Sequence, residues 1–272
     1  MFNFHKLGDC IFMIGNIKSK IKRRILMTNN LTNSFHLSGK KWLLILLSNI
    51  IAYCCLIMPG IQVPDYLVFD ENHPSLAAAC FQLLIVTIFL VIQIIGVQIA
   101  TGKRWHQLFH IPHAKEWLWI LVFFIFAYFI SVLSGTISQK LFGSVSGNAA
   151  AGLTMKTPHV WPIFLYQRIS SAIQILGEEF LAIMPLLAVT QLADSINLVH
   201  PLFWGNIASA LIFSLLHLST YDYNLGYVIL GLAFTRLVLN WAFIKTHNIW
   251  VSFLVHFLFD TLAFLILLLA TK

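Results

Sequence analysis

Residues 161–192 read WPIFLYQRISSAIQILGEEFLAIMPLLAVTQL, and this stretch decides the fold. It is long enough to cross a bilayer as a helix, which takes about 20 predominantly apolar residues. Yet Glu178 and Glu179 stand side by side near its middle. A charged side chain at the bilayer centre costs about 2.5–3.5 kcal/mol even on the lenient insertion scales. Adjacent acids there mark a polar site inside a membrane protein. Arg168 and Pro185 leave two readings of the stretch: one tilted, kinked helix, or an interfacial piece followed by a span.

Composition points the same way. The chain has 272 residues, of which 59% are hydrophobic and 10% charged, against about 25% charged in soluble domains. Further apolar segments lie at 42–59, 75–100, 117–138, 202–218, 225–244 and 248–270. Helices are the default, because backbone groups in lipid must be paired within the segment. The expected fold is all-α: a polytopic membrane helix bundle of about seven (six to eight) transmembrane helices, with the site in a polar intramembrane cavity. Short loops make the last three segments antiparallel neighbours. Trp42, Trp105, Trp117, Trp119, Trp161, Trp204, Trp241 and Trp250 all fall at or near segment ends, the aromatic-belt position. No internal repeat is visible.

The net charge of +7 does not imply nucleic acid, because the charge is concentrated at one end. Lys18, Lys20, Lys22, Arg23, Arg24, Lys40 and Lys41 precede the first apolar segment. This pattern fits contact with anionic lipid and a cytoplasmic N-terminus. Residues 1–41 are therefore expected to be a basic cytoplasmic leader and 42–272 a transmembrane bundle. Lys103, Arg104, Lys115 and Lys245 then fall inside, against Lys140, Lys156 and Lys272 outside. The short apolar run 10–17 precedes a basic run, the reverse of signal-peptide order, so no cleavable signal is expected. Cys10, Cys54, Cys55 and Cys80 lack metal-type spacing and are assigned no redox role.

The deep polar residues fall on late segments. Besides Glu178 and Glu179, only Asp260 among the acids, and His217 and His256 among the histidines, lie within apolar stretches. His256 and Asp260 are i and i+4 and share a helix face, as do Phe213 and His217. Glu178 and Glu179 diverge by about 100° on a helix, so one is expected at the reacting centre and the other as a brace. Such a set supports hydrolysis: a buried carboxylate as general base on water, a histidine orienting that water, and a second histidine with a protonated Asp facing an oxyanion. Glu178, His217 and His256 could instead hold zinc with an open position.

The three pieces, Glu178-Glu179-x-x-x-Ile183, Phe213-x-x-x-His217 and His256-x-x-x-Asp260, resemble the signature of the CPBP intramembrane proteases. That family includes the type II CAAX prenyl endopeptidases and Abi-type bacteriocin-immunity proteins, and its pattern is EExxxR, FxxxH and HxxxN or HxxxD. The resemblance covers residues 161–268 as a catalytic core. It implies catalytic roles for Glu178, Glu179, His217, His256 and Asp260. Glu178 and His217 would activate water, His256 and Asp260 would face the oxyanion, and Glu179 would brace. It implies a cell-membrane endopeptidase acting on a membrane-associated protein or peptide, as in CAAX-type processing or bacteriocin self-immunity. The expected mechanism is glutamate-dependent, with no cofactor and zinc as the alternative.

Two departures stand out. The family's Arg is Ile183 here, which removes the local partner of Glu179. Arg236, on the next-to-last segment, is a candidate replacement; its other reading is an interfacial cation that snorkels. Asp260 stands where the prenyl endopeptidases carry Asn, and an ionised Asp cannot donate a hydrogen bond. The Ile183 substitution motivates the alternative of a catalytically silent membrane immunity or binding protein. A proton-coupled transporter is a third reading, since deep acids and histidines suit proton relays.

Overall fold

The computed structural model describes residues 35–57, 68–70, 74–145 and 153–271. The greater part of the basic leader, Cys10 and Lys272 lie outside the described residues.

Among the described residues, seven helices make up the bundle: α1 Gly39–Ile57, α2 Leu76–Thr101, α3 Ala114–Phe142, α4 Val160–Ser195, α5 Pro201–Leu216, α6 Leu225–Thr246 and α7 Ile249–Ala270. Each corresponds to one expected apolar segment. Six are long and apolar enough to cross a membrane; α5, with 16 residues, is the short one. No strand occurs among the described residues. Short 3₁₀ turns at Gly102–Leu108 and Leu218–Tyr221 extend α2 and follow α5. Polar side chains set several helix starts by accepting backbone N–H groups left unpaired in the first turn. Ser75 accepts from Ala78, Asn224 from Tyr227, and Asn248 from Trp250.

α4 resolves the ambiguity at 161–192: it is a single helix of 36 residues that runs through Pro185. At 1.5 Å per residue it is about 54 Å long, well beyond the roughly 30 Å hydrocarbon core. It is also the central element, packing against α1, α2, α5, α6 and α7. Small residues permit close crossings, as expected where lipid removes the hydrophobic drive for helix association. A Cβ at Gly205 on α5 would sit 2.0 Å from Thr190 Oγ1 and 2.6 Å from the Leu186 carbonyl of α4. A Cβ at Gly177 would sit 2.3 Å from the Phe89 ring of α2. Across the α4–α5 contact, Ser209 donates to the Ala182 carbonyl at 2.7 Å. Gln191 fastens the far end of α4 to the start of α1, accepting from Trp42 Nε1 at 2.8 Å and donating to the Leu37 carbonyl at 2.7 Å.

α6 contains one π-helical turn, Val228–Leu232. Such a turn shifts the register of the residues that follow and recurs at functional sites. The Gly231 carbonyl in this turn accepts from Ser134 of α3 at 3.0 Å. Beyond the turn, Thr235, Arg236, Leu239, Asn240 and Phe243 are all buried. On α3, by contrast, Leu118, Leu121, Ile125, Phe126 and Phe129 are exposed, as a lipid-facing surface requires. Phe123 and Phe124 pack instead on a core cluster formed with α6 and α7.

Candidate active site

Glu178 and Glu179 lie on the middle turns of α4, and the helix angle sends them to different surroundings. Glu179 is completely enclosed. Both its oxygens accept from the Arg236 guanidinium of α6, Nη1 to Oε1 at 2.7 Å and Nη2 to Oε2 at 3.0 Å. Each side chain of this pair has 0% exposure. A guanidinium presents parallel donors that fit the two oxygens of a carboxylate, the strong bidentate geometry. Arg236 is therefore the partner of Glu179 and does not snorkel.

Further bonds fix the guanidinium. Its Nε donates to Asn240 Oδ1 at 2.8 Å, one helical turn on. Asn240 Nδ2 in turn donates to Asn206 Oδ1 at 2.9 Å and Ser209 Oγ at 3.0 Å on α5. The Arg236 Cζ also lies 4.8 Å from the centre of the Phe213 ring. An ion pair removed from water is tolerated only when its remaining donors and acceptors are satisfied; this chain of amides and a hydroxyl does so.

Glu179 also holds His256. The ring Nδ1 lies 2.9 Å from Glu179 Oε1. With that oxygen accepting, Nδ1 carries the hydrogen. Nε2 then points the other way, 3.9 Å from Glu178 Oε2 and 3.8 Å from Asp260 Oδ2. These two spacings exceed hydrogen-bond length, so neither carboxylate is bonded to Nε2. Glu178 is anchored by its other oxygen, which accepts from Gln174 Nε2 at 2.7 Å. Exposure rises along this row: Glu179 0%, Glu178 10% and Asp260 29% for the side chains. The row thus runs from a sealed brace to an open edge.

His217 is the C-cap of α5 rather than a mid-helix residue. Its Nδ1 lies 2.9 Å from the Phe213 carbonyl. A carbonyl only accepts, so Nδ1 donates and Nε2 of the neutral ring is left as an acceptor. The Phe213 ring sits between the two histidines, its centre 4.5 Å from His217 and 6.1 Å from His256. His217 is also within electrostatic reach of Asp260. All five residues expected from sequence therefore face one region bounded by α4, α5 and α7.

Several neighbours escaped the sequence reading. Gln174 is i−4 from Glu178 and Asn240 is i+4 from Arg236, so helical spacing from the deep charges could have found both. Asn206 and Ser209 had no such signal. Tyr221, on the 3₁₀ turn after His217, is a fifth case. Burial first, then Tyr227, Asp260 and Glu178, push its phenol well above the usual range. It remains a neutral O–H group beside the acids.

The donor set bears on zinc. Among the described residues, a group of three potential ligands with all atoms within 4.8 Å forms at His110, His113 and Glu116, and not at Glu178, His217 and His256. In the first group Glu116 is already committed: it accepts from the His113 backbone N–H at 2.9 Å and meets His110 Nε2 at 3.1 Å, closing the start of α3. In the intramembrane set, Nδ1 of each histidine is engaged and Glu178 stands 3.9 Å from His256. As placed, Glu178, His217 and His256 are not gathered within 4.8 Å of one another as the His110 group is, while each histidine keeps Nε2 available as a ligand atom.

Residues 157–262 match a family model described as Type II CAAX prenyl endopeptidase Rce1-like. This span contains all three motifs and bears out the CPBP resemblance. No curated protein and no solved structure matches the chain. Six helices have the length and composition of membrane spans, as in a multi-pass membrane protein, and residues 157–262 are similar to the type II CAAX prenyl endopeptidases.

Proposed function

We propose that this chain is an intramembrane endopeptidase that hydrolyses a peptide bond of a membrane-associated protein or peptide, using water activated by Glu178. The observation that carries this reading is the division of labour between the adjacent glutamates. Glu179 is locked by Arg236 and holds His256, while Glu178 keeps Oε2 available beside His256 Nε2.

In the proposed reaction, water lies within reach of Glu178 Oε2 and His217 Nε2. Glu178 takes a proton from it as general base, and the hydroxide attacks the carbonyl carbon. His256, doubly protonated from the start and braced by Glu179, donates through Nε2 to the developing oxyanion and keeps its proton. Asp260, in its protonated form, donates a second hydrogen bond. As the C–N bond breaks, the proton held by Glu178 passes to the leaving amine. The products are a new carboxyl end and a new amino end. The N-terminus is assigned to the cytoplasmic side of the cell membrane on the distribution of Lys and Arg.

The silent immunity-protein reading rests on the absence of the family Arg at Ile183. Arg236 supplies the pairing from another helix, so no observation favours that reading. The test is reconstitution of the purified chain in liposomes with membrane-anchored peptides, including a prenylated CAAX peptide, and fragment identification by mass spectrometry. Defined fragments are expected from the wild type. Their absence for every peptide, from a folded protein, would remove the proposal.

A further inference from the structure

A second buried cation lies on α4, and the reaction outlined above does not use it. Arg168 is 5% exposed, and its Nε, Nη1 and Nη2 have no hydrogen-bond partner among the described residues. The guanidinium is stacked between two rings, 5.3 Å from the centre of Phe164 on α4 and 4.5 Å from that of Phe264 on α7. Asp260 is within electrostatic reach, but no hydrogen bond joins the two. Arg236 shows how this chain treats a sealed guanidinium: it gives it a carboxylate and an amide. At Arg168 the aromatic walls are present and the acceptor is missing. A planar cation so arranged presents a fork of donors to a planar anion.

Its position relative to the reacting centre narrows the ligand. His256, Asp260 and Phe264 follow each other at i+4 steps and share one face of α7. Phe264 is eight residues beyond His256, about 12 Å along the axis, and Arg168 is ten residues before Glu178, about 15 Å. Both helices thus place the guanidinium at a similar axial distance from the reacting centre. Extended chain covers about 3.3 Å per residue, so about four residues bridge the gap. Arg168 also lies eight residues inside the start of α4, about 12 Å from that end.

We propose that Arg168 binds a carboxylate of the substrate peptide, about four residues from the bond that is cleaved. This rests on the protease reading and adds a specificity rule to it. The carboxylate comes from the peptide's own C-terminus or from an Asp or Glu side chain at that spacing. In either case the guanidinium fixes the register in which the scissile carbonyl meets Glu178.

Binding tests this independently of cleavage. The full chain carrying Glu178→Gln, in detergent, is titrated with fluorescein-labelled apolar ten-residue peptides. One pair differs only in a C-terminal carboxylate or amide. A second, amidated pair carries Glu or Gln four residues beyond the bond cleaved in the liposome assay, or four from the C-terminus if none is cleaved. At least one carboxylate peptide is expected to bind tenfold or more tighter than its neutral twin. That ratio should fall to near one with Arg168→Gln and be partly kept with Arg168→Lys. Equal binding of both twins in both pairs to the chain with Arg168 intact would overturn the proposal, a comparison that needs no Arg168 variant to fold. A ratio unchanged by Arg168→Gln would overturn it too. Equal binding of the twins, together with a phospholipid that co-purifies with wild type and is lost on Arg168→Gln, would assign the guanidinium to lipid instead. If carboxylate peptides bind through Arg168 but wild type cleaves none, the protease reading fails and the binding site stands.

Discussion

Arg236 of α6 grips Glu179 of α4 through two hydrogen bonds of 2.7 and 3.0 Å, with both side chains sealed from solvent. Where the family pattern offers an Arg at i+4 on the same helix, the cation here comes from a second helix. Removing one partner leaves a buried charge alone, which costs about 3–5 kcal/mol. Arg236→Met is therefore expected to lower the thermal midpoint sharply in detergent. The double variant Arg236→Met with Glu179→Leu should recover much of that loss, since it leaves no unpaired charge, yet remain inactive because His256 loses its brace. A midpoint unchanged by Arg236→Met would show that the pair contributes nothing to stability.

Ile183 is fully buried in the core cluster with Phe180, Met184, Leu186 and Leu187. Restoring the family residue by Ile183→Arg alone should destabilise the chain, because Glu179 already has its cation. In the background of Arg236→Ile the same change should be stabilising, since the introduced guanidinium would then sit at i+4 from an unpaired Glu179. Opposite signs in the two backgrounds, read by thermal unfolding, are the expected result.

Gln174 holds Glu178 Oε1 at 2.7 Å and leaves Oε2 for the proposed reaction. Gln174→Leu should cost about 1–3 kcal/mol in stability, the range for one lost partner of a buried hydrogen bond. Its effect on kcat should be larger than on KM, because the base loses its orientation rather than the substrate its contacts.

A chelator should leave cleavage intact. The intramembrane donors do not converge on a three-ligand centre, whereas His110, His113 and Glu116 do so outside it. Loss of activity with chelator, and its return with added zinc, would contradict the glutamate mechanism.

The fold was legible because hydropathy and tryptophan placement act over whole segments, and each expected segment became one helix. The candidate site was legible as a cluster because acids and histidines inside lipid are costly and therefore few. What sequence could not supply was partnership across helices. Ile183 reads as a missing partner, and only the packing of α6 on α4 shows Arg236 filling the role. The single run of α4 through Pro185 was likewise open, because packing on its neighbours decides whether a helix continues through a proline. Asn206 and Ser209 were invisible for a different reason: small polar residues are ordinary at membrane-helix contacts.

The central claim is that Glu178 is the base and Glu179 the brace, and one comparison tests it most directly. Single-turnover cleavage of one membrane peptide is measured for wild type and Glu178→Gln at matched folded concentration. A base contributes about 10²–10⁴-fold, so the variant should lose a factor in that range or more while its thermal midpoint stays close to wild type. Cleavage by Glu178→Gln at the wild-type rate would contradict the account.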